Sequence, residues 1–405
     1  MSLRIYNTRT RRKEEFVPLQ PGMVKMYVCG PTTYDYSHLG HARSYVDFDT
    51  VRRYLEFLGH RVTYVQNFTD IEEVIIRRAS AVGKEPLAYA QFYIDSFLED
   101  MRALNVKPAD HYPKVTEHIS EIIALVARLV DRGYAYSVGG EVYFRTHKAK
   151  HSFGILAHHK VEDIVVDPVP PGSHKEDPLD FALWKKSKEH EPSWPSPWGD
   201  GRPGWHVECN AMAFKYLGAP LDIHGGGMDL KFPHHESEAM ICEGAWDGEW
   251  ARTWMHNGFV TIEREKMSKS LGNFVTIREV LKDFPGEVVR LCLLKAHYRK
   301  DVEYDRECFD RTQREYDSMR AAIDAGRRAS GPGTSGAVDA LVTRTRDAFL
   351  KAMDDDLNTE VAVYRLQQLT EAVGEIRGMS AAEGRSVVDV YREMGQVLGL
   401  FRDLA

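Results

Sequence analysis

Apolar residues along the chain fall into blocks of different period. Val24, Met26, Tyr27 and Val28 form a short run, partly aromatic and β-branched, that ends at Cys29 before Gly30-Pro31; such a run predicts a strand. From 42 to 58 the apolar residues Tyr45, Val46, Phe48, Val51, Tyr54, Leu55 and Leu58 recur at the spacings of one helical face. A second strand is expected over 61–68. Strand, helix and strand in succession make a βαβ unit, which implies a parallel sheet with a right-handed crossover. Helices are expected over 86–104 and 117–132, followed by a hairpin about Gly139-Gly140. The stretch 150–204 is rich in Pro, Gly, His and charge and reads as an irregular insertion. A second α/β run starts near Gly204, with a strand at 221–224 and a helix over 234–244. Residues 331–336, Gly-Pro-Gly-Thr-Ser-Gly, read as a linker. Helices over 338–354, 359–377 and 381–401 then suggest a small antiparallel bundle.

A chain of 405 residues suits two or three domains at roughly 150 residues each. Mean hydropathy is −0.41, and no apolar run approaches the ~18 residues of a membrane span. The N-terminal segment carries charge without an apolar core, unlike a secretory signal. A cytoplasmic location and no membrane partner are expected. Lys and Arg number 53 against 60 Asp and Glu, which argues against binding nucleic acid through bulk charge. Arg9, Arg11, Arg12 and Lys13 read as a local basic patch or simply as solvated surface. Five scattered cysteines do not suggest a disulfide framework.

Two motifs carry chemistry. His38-Leu39-Gly40-His41 follows the first strand and opens the first helix. A helix N-terminus offers unpaired N–H groups suited to phosphate, and histidines three apart can face one ligand. Taken alone, two surface histidines would look the same. Lys266-Met267-Ser268-Lys269-Ser270, followed by Leu271-Gly272-Asn273, places two cations on a loop able to fold over a triphosphate.

Together these motifs resemble the signatures of class I aminoacyl-tRNA synthetases. Further blocks narrow the resemblance to the cysteinyl-tRNA synthetases: Tyr27 through Thr32, Asn67 through Asp70, Gly201 through Cys209, and Asp222 through Leu230 continuing into Phe232 through Glu236. The similarity runs from about residue 3 to 401. It implies an α/β fold with a Rossmann-type parallel-sheet catalytic domain, an inserted α+β connective segment and a C-terminal helical bundle. The domains expected are 1–110 and 204–262 for the two catalytic halves, 111–203 for the insertion, 263–330 for the lysine loop and stem-contact region, and 337–405 for the bundle.

The resemblance also implies function. The enzyme expected is an ATP-dependent cysteine–tRNA ligase with L-cysteine, ATP and tRNA(Cys) as partners, acting as a monomer. Zinc would be held by Cys29, Cys209, His234 and Glu238, and magnesium would accompany ATP. Two thiolates, one imidazole and one carboxylate are a set zinc accepts, although spacing alone does not separate these four from a core cysteine and ordinary polar residues. His235 and Glu236 are neighbouring groups or alternative ligands. His38, His41, Lys266 and Lys269 would be catalytic. With Gly40, His224, Gly225 and Gly227 they would contact ATP. Thr69, Trp205 and Asp229 would form the amino-acid pocket, or serve only packing. Cys242, Cys292 and Cys308 read as inert core.

Two departures stand out. Ile71-Glu72-Glu73-Val74 replaces a family pattern with two aspartates and a lysine, so a basic residue is missing. Members of the family also usually continue past the bundle into a small anticodon-binding domain, whereas this sequence stops at Ala405. The rival expectation is a cysteine ligase of the mycothiol-pathway type, which joins cysteine to a small amine. A non-catalytic binder is a weaker third reading.

Overall fold

The computed structural model describes residues 2–158, 174–262, 265–266, 274–333 and 336–404. Its centre is a four-stranded sheet in the order Ala251–Asn257, Leu221–Gly227, Met23–Val28, Arg61–Gln66, with every neighbouring pair parallel. Helix Leu39–Phe57 crosses over between Met23–Val28 and Arg61–Gln66, as the βαβ reading requires. Its Tyr45, Val46, Phe48 and Leu55 are buried, and the Phe48 ring lies so close under Gly225 that a Cβ there would fall 2.3 Å from it. The order of the sheet reverses between Met23–Val28 and Leu221–Gly227. In an open parallel sheet a crevice forms at the carboxyl ends beside such a reversal.

The stretch expected to be irregular is partly regular. Phe181–Lys186 and Gly201–Pro203 extend the predicted hairpin, Ala135–Val138 with Glu141–Phe144, into a four-stranded antiparallel sheet. Its core is apolar: Val142, Phe144, Leu183 and Trp184 have no solvent exposure. Helix Trp205–Leu217 contains Cys209 near its middle.

Helix Glu73–Ala81 accounts for the acidic departure. Glu72 caps it, accepting from the Val74 N–H at 2.8 Å. Glu73 receives Arg202 at 2.9 Å and Lys185 at 3.1 Å from the antiparallel sheet. The acidic pair thus ends one helix and tethers it to the insertion.

Four helices form the C-terminal bundle, not three. Arg306–Arg327, which precedes the Gly-Pro linker, packs on Thr359–Glu375 and Ala381–Leu398 beyond it. Arg290, fully buried, joins bundle to sheet: it donates to the Leu398 carbonyl and to Asp49 on the first helix. No described helix is long and apolar enough to cross a membrane.

Candidate active site and metal cluster

A cleft of ≈ 380 Å³ opens at the carboxyl ends of the parallel strands, within the usual size of a small-molecule site. Cys29, His38, Gly40, His41, Thr69, Trp205, Cys209, Gly227, Asp229 and His234 line it. Residues nearly two hundred positions apart therefore converge on one wall.

The histidine turn is fixed by its own hydrogen bonds. His38 Nδ1 accepts from the Gly40 N–H at 3.1 Å, and His41 Nδ1 accepts from the His38 N–H at 3.2 Å. This reciprocal cap opens helix Leu39–Phe57 and stacks the rings 4.0 Å apart. An accepting Nδ1 leaves the proton on Nε2 in the neutral ring, the form that donates to a phosphate oxygen. The close ring over Gly40 is that of His38, 2.8 Å from where a Cβ would stand, so a larger residue would push that ring out of place. Behind the turn, Leu39 N–H donates to the Val275 carbonyl at 3.1 Å. Val275, two residues beyond Asn273, is thereby anchored beside the histidines. Lys266 falls on the short strand Glu265–Lys266; Lys269, with the rest of 267–273, lies outside the described residues.

Cys29, Cys209, His234 and Glu238 bring one donor atom each to within 4.8 Å of the other three, all buried. The separations are 3.7 Å for Cys29 Sγ to Cys209 Sγ, 3.5 Å for Cys209 Sγ to His234 Nε2, 3.5 Å for Cys29 Sγ to Glu238 Oε1, and 3.1 Å for His234 Nε2 to Glu238 Oε1. Bond lengths of about 2.3 Å to sulfur and about 2.0 Å to nitrogen or oxygen give a tetrahedron edges of about 3.3–3.8 Å. The observed spacings lie close to that range, so the cluster is compatible with a metal site.

Surrounding groups aim the donors. His224 Nε2 at 2.8 Å and the Trp250 indole N–H at 3.0 Å engage Glu238 Oε2, turning Oε1 to the cluster. His206 Nδ1 lies 3.0 Å from His234 Nδ1, which leaves Nε2 facing the thiols. Trp205 stacks on His234 with centroids 4.4 Å apart and keeps 37% exposure, so it caps the cluster at the cleft mouth. The thiol of Cys29, acting as donor, and the nearby His234 hold Cys209 down to about 6. Burial alone would depress His234, but Cys209 and Glu238 outweigh it and raise the imidazole to about 10. Burial pushes Cys29 up. Glu238 is buried too, yet His224 and His234 keep it well below the carboxylate range. Glu238 and Cys209 lean toward their deprotonated forms, whereas His234 and Cys29 would have to release a proton to serve as ligands.

Several expected residues take other places. His224 has no solvent exposure and engages Glu238 and the Tyr27 carbonyl, so it stands behind the cluster and not at the cleft surface. Gly225 is the packing contact to Phe48 already described. Thr69 Oγ1 reaches Glu208 at 3.4 Å at the cleft edge. Glu236 is not a ligand: it accepts the Leu156 and Ala157 N–H groups and anchors 151–158. His235 Nδ1 lies 2.9 Å from His256, which holds Thr8 at 2.8 Å, and His235 also joins Cys29, His224 and Glu238 in a second buried group of donors within 4.8 Å of one another. The orienting roles of His206 and Trp250 have no local sequence signal. Only the fold brings these residues to the ligands.

The sheet, crevice and paired motifs define a class of nucleotide-using ligases, and the matches agree. The family model "tRNA synthetases class I (C) catalytic domain" matches residues 15–314, and "DALR domain" matches 348–402. Among solved structures, a Mycobacterium tuberculosis methionyl-tRNA synthetase with methionyl-adenylate superposes at TM-score 0.64 with 17% identity, covering 93% of this chain and 89% of that one. An Agrobacterium radiobacter LeuRS–tRNA complex gives 0.71 with 12% identity, covering 95% and 85%. These two likenesses speak to fold alone. A cysteine–tRNA ligase of Thermococcus gammatolerans is 47% identical over 417 residues, all of this chain and 87% of the relative. That of Heliobacterium modesticaldum is 47% identical over 426 residues, covering 100% and 88%. The chain belongs to the cysteine–tRNA ligase family.

Proposed function

We propose that the chain activates L-cysteine with ATP and transfers the cysteinyl group to the 3′ end of tRNA(Cys). The observation that carries this reading is the donor set of two thiols, an imidazole and a carboxylate in the wall of a cleft that also holds the His38–His41 turn. Relatives named cysteine–tRNA ligases match along the whole chain, which does not favour the small-amine ligase or the non-catalytic binder.

Cys29, Cys209, His234 and Glu238 would hold zinc. When bound, zinc supplies a soft Lewis acid for the substrate thiolate, which a harder serine hydroxyl matches poorly. A site built around one such group can reject its analogue by factors of ~10⁴–10⁵. Selection would then occur on binding, with no separate editing site required.

The chain's own residues do the rest. Trp205 walls the amino-acid pocket, and Thr69 and Asp229 line it where the substrate ammonium group would lie. The cysteine carboxylate attacks the α-phosphorus of ATP and pyrophosphate leaves. This nucleophile is already ionised, so no general base is needed and the rate rests on positioning. His38 and His41, with protons on Nε2, donate to phosphate oxygens beside the N-terminus of Leu39–Phe57. Lys266 and Lys269 neutralise charge on the departing pyrophosphate. Gly40 and Gly227 border the nucleotide, and magnesium travels with it. A terminal ribose hydroxyl of the tRNA then takes the acyl group and AMP leaves. The enzyme acts as a monomer in the cytoplasm.

The test incubates the protein with cysteine, ATP and either total tRNA or glucosamine-type amines. Charging of tRNA is expected; acylation of the amine alone would overturn the reading.

A further inference from the structure

Two cysteines outside the cleft touch each other. Cys292, buried in helix Gly286–Leu294, and Cys308, half-buried at the start of helix Arg306–Arg327, bring their Sγ atoms to 3.3 Å. They sit on packed helices, and the sequence alone reads both as inert core.

Their surroundings differ in a way that separates their roles. Cys308 is the third residue of its helix, where unpaired N–H groups favour a negative side chain. The Cys292 thiol, with Lys295 and Arg311, holds Cys308 down to about 6. The same hydrogen bond and burial push Cys292 up. Cys308 is therefore the more accessible sulfur, at a helix start beside two cations, and Cys292 lies buried behind it. A low-pKa accessible cysteine beside a second cysteine is the arrangement of a reversible oxidation site.

We propose that Cys308 and Cys292 form a hydroperoxide-reactive pair in which Cys308 is the attacking and Cys292 the resolving residue. The Cys308 sulfur attacks one peroxide oxygen and the O–O bond breaks. That oxygen stays on sulfur as the sulfenic acid, and the other leaves as hydroxide, which takes the Cys292 proton and becomes water. The Cys292 sulfur then attacks the sulfenic sulfur, the S–O bond breaks, and its oxygen leaves with a solvent proton as a second water. Two thiols have given two electrons to one peroxide, and a thiol reductant reverses the bond by exchange.

The disulfide would clasp both ends of segment 293–307. That segment carries strand Val302–Glu303, which pairs with Val260–Ile262, itself paired with Glu265–Lys266. It also gives the Tyr298 carbonyl to the N–H of Gly258, a cleft-lining residue, at 2.8 Å. The clasp therefore closes one strand away from the lysine segment.

The test treats the zinc-loaded full chain with hydrogen peroxide, blocks remaining thiols with N-ethylmaleimide, and maps peptides by mass spectrometry. A linked peptide pair containing Cys292 and Cys308, lighter by two hydrogens and released by dithiothreitol, is expected in the unmodified protein. Cys292→Ser should accumulate a dimedone-reactive sulfenic acid on Cys308, and Cys308→Ser should leave Cys292 reduced. Both untreated variants should charge tRNA like the parent, which shows that they are folded. Absence of the linked pair from the unmodified protein, or unchanged oxidation of Cys292 in Cys308→Ser, would overturn the proposal without touching the cysteine–tRNA ligase reading.

Discussion

The molecule buries two charged clusters that are completed in different ways. Around Asp356, whose backbone is left-handed with φ 67°, the protein itself supplies every partner. One carboxylate oxygen receives the Tyr6 N–H at 2.8 Å and the Tyr298 hydroxyl at 2.9 Å; the other receives Arg299 at 2.7 Å and His297 at 3.4 Å. This carboxylate ties the bundle loop to the N-terminal hairpin and to the segment after helix Gly286–Leu294. Around Glu238, by contrast, two thiols, an imidazole and a carboxylate face one another at 3.1–3.7 Å, and further hydrogen bonds hold Glu238 and His234 from their outer sides. The first cluster carries its own counter-charge and serves the fold. The second is compatible with a metal site in the wall of the cleft.

Four predictions sharpen or break this contrast. Losing a donor from the second cluster should have the largest effect. Cys209→Ser should lower cysteine-dependent pyrophosphate exchange by more than ~10²-fold, beyond what losing an orienting group usually costs, and metal content should fall with it. Near-normal exchange would contradict the assignment. Asp356→Ala should destabilise the chain by about 1–3 kcal/mol, because it leaves the buried Tyr298 hydroxyl without its acceptor and the part-exposed Arg299 without its carboxylate. Urea unfolding measures this, and metal content should not change. His224→Ala removes one of the two groups that hold Glu238 Oε2 and should weaken metal binding ~10–100-fold, as read by competition with a chelating dye.

The smallest effect is expected at Glu73. Arg202 first, then Lys185, hold it down to about 2, below the ~4.3 of an unfolded glutamate. Its contribution is therefore fully present above about pH 4.3 and lost as the pH falls through about 2. Since the side chain is 55% exposed, Glu73→Gln should cost no more than about 1 kcal/mol at neutral pH. In unfolding curves from pH 7 to 2 the difference should vanish in acid. A difference that persists there would mean packing, not charge.

The same contrast governs what the sequence made legible. The βαβ unit was readable because a short apolar run stopped at Gly30-Pro31 gives way to residues at helical spacing within one short stretch. The strands Phe181–Lys186 and Gly201–Pro203 were not, because Pro, Gly and charge surround their few core residues. Helix Arg306–Arg327 is so charged that its buried positions, Phe309, Met319 and Ile323 among them, are diluted. At the site, the residue types came from resemblance, because Cys29 and Cys209 have no local relation that spacing could reveal. His206, Trp250 and the orienting part played by His224 needed coordinates. The left-handed backbone and four partners of Asp356 are products of tertiary folding.

The central claim is that the second cluster chooses the amino acid through a bound metal. It is tested most directly by pyrophosphate exchange with cysteine and with serine, before and after chelation, alongside elemental analysis of the same protein. The account predicts one zinc per chain, a preference for cysteine of ~10⁴-fold or more, and loss of cysteine activation on chelation with recovery when zinc returns. A chain that contains no metal and still prefers cysteine to the same degree would contradict it.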